Sequence, residues 1–161
     1  MKTLLQQPDL RKEFPVHAVA TKLEKLISET EVRLRAVTES ESERRPAPGK
    51  WSKKEILGHL VDSASNNHQR FVRAQLGQQM SFPGYAQSLW VEAQGYQTET
   101  WENLVRLWTS YNLHLLQVVS RIPPEKLANP CIIGDQEPVT LEFLVRDYVR
   151  HLEHHLSQIQ D

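Results

Sequence analysis

The sequence predicts an all-α protein, a bundle of four long helices, and three observations carry that prediction. Apolar residues recur at steps of three and four along four stretches of roughly 20–25 residues. Prolines and glycines gather in the segments between those stretches. The length, 161 residues with 39% hydrophobic and 24% charged, suits one globular domain (1–161) with a single buried core.

The first helix is expected over residues 16–39. Val16, Val19, Leu23, Leu26, Ile27, Leu34 and Val37 form its apolar stripe, broken only at Thr30. SESERRPAPGK follows as a polar connection. The second helix has the clearest start signal: Ser52 with Glu55 three residues on is a capping box, and Trp51 precedes it as a staple onto Ile56. This helix should run to about Leu76, before Gly77. Its inward stripe, Ile56, His59/Leu60, Ser63, Asn67, Phe71, is too polar for a simple core face.

GQQMSFPGYAQS reads as a loop, with a short helical turn near Leu89–Ala93. The third helix starts near Thr98 or Thr100 and ends about Arg121, stopped by Pro123-Pro124. An irregular loop follows, with a brief extended piece at Cys131–Ile133. Thr140 caps the fourth helix, whose face carries Leu144, Tyr148, His151, Leu152, His155 and Ile159. The long connections favour a crossover topology.

Composition excludes several function classes. Nineteen Lys+Arg against twenty Asp+Glu give no electrostatic reason for nucleic-acid or anionic-membrane binding. No apolar run approaches a membrane span, and MKTLLQQPDLRKEF lacks the apolar region of a signal peptide, so a cytoplasmic protein is expected. One cysteine, Cys131, excludes an intramolecular disulfide and any Cys-rich zinc site. It reads as a small loop packer.

The seven histidines carry the chemistry. His151 and His155 lie one turn apart on the inward stripe of the last helix, so both imidazoles can reach one metal ion. His59 sits on the inward stripe of the second helix. Three imidazoles from two helices form a tripod with a coordination position open for catalysis. The competing reading is core histidines hydrogen-bonded to Ser63, Tyr111 or Tyr148. Asp62, three residues after His59, is a candidate catalytic carboxylate, or a group that orients a ligand histidine or pairs with a lysine. Arg70 is a candidate anion anchor near Asn67, or a surface salt-bridge partner. His154 should be exposed, His114 packed near the inward face, and His68 on the surface or in a dimer contact. Trp51, Phe82, Tyr85 and Trp90 are candidate pocket walls or core residues.

KWSKKEILGHLVDSASNNHQRFVRAQL, the FPGY loop and the closing DYVRHLEHHLSQI together resemble the DinB/YfiT-like superfamily, from about Leu23 to Ile159. The resemblance implies a four-helix bundle of up-down-down-up topology, often a homodimer. It also implies a divalent metal, zinc or nickel, held by His59, His151 and His155. The activities it implies are metal-dependent hydrolysis and S-transfer or isomerisation with a low-molecular-weight thiol such as bacillithiol or mycothiol. A non-catalytic, stress-related helical dimer is the alternative of a different class.

Overall fold

The computed structural model describes residues 15–77 and 79–160; the stretch read above as lacking a signal peptide lies outside the described residues. In chain order the helices are α1 (Pro15–Ala36), α2 (Glu39–Glu43), α3 (Lys53–Leu76), α4 (Gln87–Gln94), α5 (Trp101–Ser120) and α6 (Leu141–Gln160). Three short strands join them: β1 (Met80–Phe82), β2 (Pro130–Ile133) and β3 (Val139–Thr140).

Caps fix where the helices begin. Ser52 Oγ accepts from the Glu55 backbone N–H at 3.2 Å, and the Glu55 carboxylate accepts from Ser52 N–H at 2.8 Å, so the expected capping box starts α3. Thr100 Oγ1 accepts from Asn103 N–H to start α5, and Thr140 Oγ1 accepts from Phe143 N–H to start α6. The first helix is shorter than its apolar stripe suggested. It ends at Ala36 because Thr38 and Glu41 form a second capping box, which nucleates the separate helix α2. That short helix is anchored from α3 by Lys54, 2% exposed, whose ammonium pairs with Glu39 and Glu43. Burial works against the Lys54 charge, but the two carboxylates outweigh it and its pKa is raised.

The four long helices form the bundle, with α1 and α3 each packed against both α5 and α6. Their directions follow from which ends meet. The Trp101 indole N–H at the start of α5 donates to Leu34 C=O at the end of α1, so α1 and α5 are antiparallel. Lys22 pairs with Glu153, and Leu34 lies near Leu156 and Ile159, so α1 and α6 are parallel. The Phe71 ring meets Tyr148 while His59 meets His151, so α3 and α6 are antiparallel. The order is therefore up-down-down-up, as the resemblance implied.

Leu23, Leu57, Leu60, Trp108, Leu115 and Leu152 are wholly buried between these helices. Thr30, the break in the first apolar stripe, is buried as well, with its hydroxyl unpaired. Tyr148 donates to Asn112 Oδ1 at 2.6 Å in the core.

A small sheet closes one end of the bundle. The sequence predicts only its extended piece at Cys131–Ile133; β2 in fact runs parallel to β1, Met80 opposite Cys131, and antiparallel to β3. Asn129 Nδ2 donates to the carbonyls of Ala74 and Gly77, tying β2 to the C-terminal end of α3. Among the described residues no helix is long and apolar enough to cross a membrane.

Candidate metal centre

The centre lies at the end of the bundle opposite the sheet. There the N-terminal half of α3 faces the C-terminal half of α6, bringing His59 against His151 and His155. One ring nitrogen from each lies within 4.8 Å of the other two. Ring centroids are 5.0 Å apart for His59–His151, 4.7 Å for His59–His155 and 4.6 Å for His151–His155. His59 has no exposed surface, and the two on α6 are half-buried.

These residues fit a divalent metal on three counts. His59 Nε2 and His151 Nε2 are 3.1 Å apart. Two nitrogens bound to one tetrahedral zinc stand about 3.3 Å apart, the edge of a tetrahedron of ~2.0–2.1 Å radius. The rings are held neutral: burial and the two neighbouring histidines depress His59 to about 3, and burial depresses His151 to about 4 and lowers His155. Neutral imidazole is the form that ligates. Two rings are also steadied through their far nitrogens. His155 Nδ1 meets Gln158 Oε1 at 2.8 Å and His151 Nδ1 meets Ser63 Oγ at 3.4 Å, leaving both Nε2 atoms for an ion. His59 Nδ1 is buried without a partner. Of the core partners considered from sequence, only Ser63 touches the cluster; Tyr148 is taken by Asn112, and the Tyr111 hydroxyl meets His68.

His155 lines a cavity of about 700 Å³ whose walls include Trp51, Ile56 and Gln158. The Trp51 indole lies 5.2 Å from the His59 ring, centroid to centroid, and covers it. Asp62 points elsewhere. Its Oδ1 accepts from Tyr96 Oη at 2.7 Å and Gln94 Nε2 at 2.6 Å, while Oδ2 is buried and unpaired. Burial raises the Asp62 pKa against those two hydrogen bonds. Arg70 is half-buried further along α3, outside the cavity lining, where it feels Tyr85 and Asp147. Burial and the Asp62 charge push Tyr85 up to about 12. The Tyr85 ring meets Trp90 tilted at 54°, 4.9 Å between ring centroids, whereas Phe82 is buried in β1.

His154 is exposed, as expected. His68 is not a free surface residue: it is half-buried against α5, its Nδ1 3.3 Å from Tyr111 Oη and its ring 5.0 Å from His114. His114 is exposed beside it, away from the three-histidine cluster. Cys131 is buried in β2, and burial raises its thiol pKa.

A sequence model of the DinB superfamily matches residues 22–159. The chain belongs to the DinB superfamily. Among solved structures it shares its fold with YfiT from Bacillus subtilis, described as "a probable metal-dependent hydrolase with an unusual four-helix bundle topology" (TM-score 0.83, 18% identity, 96% of this chain and 89% of that one). The mycothiol-dependent maleylpyruvate isomerase and a point mutant of it also share the fold (TM-scores 0.74 and 0.75, 14% identity), and this chain covers 92% of its own length but 62% of theirs. Comparison with curated proteins finds no match.

This DinB-superfamily site also uses residues that sequence reading passed over. Gln158 holds His155, and its signal was the i, i+3 spacing on α6. Arg44, Lys50 and Lys53 line the cavity, yet the segment bearing the first two reads from sequence as a bare connection.

Proposed function

We propose that the protein is a divalent-metal-dependent enzyme, with zinc or nickel on His59, His151 and His155, that hydrolyses a small molecule bound in the cavity at His155. The observation that carries this reading is the convergence of three neutral imidazoles from two helices, one of which, His155, lines a cavity. Three protein ligands leave a coordination position for chemistry, where a structural site is closed by a fourth. A bound divalent ion supplies Lewis acidity to a water or a thiol. The chain's own residues orient and exclude. Gln158 and Ser63 fix the His155 and His151 rings, and Trp51 keeps solvent from His59.

Transfer involving a low-molecular-weight thiol is the second reading. It is favoured by the fold shared with the mycothiol-dependent isomerase and by a cavity within the range that takes a drug-sized ligand. The thiol would come from solution, since Cys131 is buried in the sheet at the far end of the bundle. A homodimer belongs to the proposal too, supported by the exposed apolar Val72, Leu76 and Leu107 on α3 and α5, and light scattering tests it.

The test is elemental mass spectrometry of tag-free protein beside the His59→Ala/His155→Ala variant. Near-stoichiometric zinc or nickel, lost in the variant, is expected, followed by screens of ester, amide and thiol–electrophile substrates. A metal-free protein that takes up neither added ion overturns the reading.

A further inference from the structure

We infer that the cavity at His155 selects an anion bearing an apolar group, its carboxylate or phosphate held by Arg44 and Lys50 and its apolar part lying on Trp51. This deepens the enzyme reading and rests on it only for taking the cavity as the substrate site.

Charge is distributed unevenly around this cavity. The chain as a whole carries −1, but the cavity is lined by three cations, Arg44, Lys50 and Lys53, against one carboxylate, Glu41. That carboxylate is already committed. Glu41 Oε2 accepts from Thr38 N–H at 2.8 Å and Thr38 Oγ1 at 2.7 Å, and these bonds, with a smaller attraction from Lys53 and Arg44, hold its pKa below the usual range. Lys53 donates to the Ile159 carbonyl. Arg44 and Lys50 have no hydrogen bond or salt bridge from their side chains among the described residues. The neighbouring Arg45 shows what a structural arginine does here: it grips both oxygens of Glu55, at 2.6 and 3.0 Å. Arg44, one residue earlier, makes no such pair and lines this cavity and a second one beside Leu34 and Ile159.

The backbone orders the segment that carries these two exposed cations. Lys50 N–H donates to Ala47 C=O at 3.1 Å, closing a four-residue turn with Pro48 and Gly49 at its centre. Gly49 has φ +76°, and an added Cβ would meet nothing within 4 Å, so glycine is required by conformation and not by space. Proline then glycine at positive φ is the sequence of a type II turn, which reverses the chain between Ala47 and Lys50. Pro46, Ala47, Trp51 and Ile56 provide the apolar surface alongside. Two cations without a side-chain hydrogen bond or salt bridge among the described residues, Lys50 on the turn and Arg44 just before it, next to an indole and a candidate metal ligand, match an amphiphilic anion.

The experiment measures binding of 2-naphthoate, 2-naphthyl phosphate, the neutral 2-naphthylmethanol and cationic 2-naphthylmethylammonium to the full chain. Titration calorimetry is run at low ionic strength, with chelator-treated protein and again with added zinc. In metal-free protein, naphthoate or naphthyl phosphate should bind roughly tenfold tighter than the alcohol, the scale of two partly solvated charge pairs, and the ammonium weaker than either. Which anion binds tighter assigns carboxylate or phosphate. The Arg44→Gln/Lys50→Gln variant should lose the preference while its affinity for the alcohol stays, and Trp51→Ala should weaken all four. Equal binding of anion and alcohol, a preference that survives the double substitution, or no binding of any probe overturns the inference. Because the preference is read without metal, it stands or falls separately from the elemental analysis.

Discussion

Replacing Gly58 by alanine should destabilise this protein, although the same change inside an ordinary helix stabilises by about 1 kcal/mol. Gly58 sits in the first half of α3, where the Tyr96 ring packs directly on the helix backbone. A Cβ at Gly58 would stand 2.2 Å from both Cγ and Cδ2 of Tyr96 and 2.6 Å from Cε2. Carbon atoms in contact prefer about 3.5–4.0 Å, so the ring must retreat by more than an ångström. It has little freedom to do so. Tyr96 is buried, and its hydroxyl donates to Asp62 Oδ1 at 2.7 Å and lies 2.9 Å from Gln94 Oε1.

Overpacking of this kind costs about 1–3 kcal/mol, and losing the buried bond to Asp62 adds about 1–3 kcal/mol. Set against the propensity gain of about 1 kcal/mol, the net loss should be about 1–5 kcal/mol. Urea unfolding followed by tryptophan fluorescence should show the midpoint falling by about 0.5–2.5 M, for an m-value of about 2 kcal/mol/M. In a Tyr96→Ala background the clash is gone, and Gly58→Ala should become neutral or mildly stabilising. A Gly58→Ala protein as stable as the wild type, or equal penalties in the two backgrounds, would refute the reasoning.

In metal-free protein, stability should fall as the pH drops below about 6.5 and continue falling towards pH 4. His59 and His151 titrate near 3 and 4 in the folded chain and His155 is lowered, so the unfolded chain binds more protons across that window. The slope approaches about 1.4 kcal/mol per pH unit for each histidine; urea midpoints from pH 7.5 to 4.5 measure it, and a His59→Gln/His151→Gln variant should flatten it. Gln158→Leu should weaken zinc binding about 10–100-fold by freeing the His155 ring, read by chelator competition; unchanged affinity would remove Gln158 from the site. Ser52→Ala should cost about 1–2 kcal/mol in urea unfolding, since Ser52 Oγ both caps α3 and donates to Gln97 Oε1 at 2.6 Å. A loss within error would show that Glu55 alone sustains the start of α3.

The three histidines were legible because helical phase is a local property. Once His59 shared a stripe with Ile56 and Ser63, and His151 with Tyr148, burying those stripes against one another forced the imidazoles together. Helix α2 was missed because Glu39–Glu43 contains no apolar residue to show a period; only the Thr38–Glu41 cap announces it. The pairing of β1 with β2 joins residues about fifty positions apart, and nothing in either segment specifies the partner. His68 was misplaced for a geometric reason. The face of α3 turned away from α6 is not solvent, because α3 also packs against α5. Asp62 shows the limit of spacing as a guide: three residues place it near the His59 face, but the chain beyond the loop supplies Tyr96 and Gln94, which bind its carboxylate outside the cluster.

Parallel neighbours carry a hidden obligation. Tyr96, just before α5, packs on Gly58 near the start of α3, and His68 meets Tyr111 further along both helices, so α3 and α5 point the same way. The link between them, residues 77–100, must therefore travel back along the whole bundle. A helix of 24 residues is about 36 Å long, whereas 24 extended residues reach about 80 Å, so the return has slack to spare. The chain spends that slack on α4, and Ser88 from its first turn lines the cavity at His155. Ser88 adds to a lining that comes mostly from residues 41–53 and from α6. Changes of length or sequence in this return link can therefore reshape the Ser88 side of the cavity without disturbing α3 or α6, the two helices that bring the histidines together.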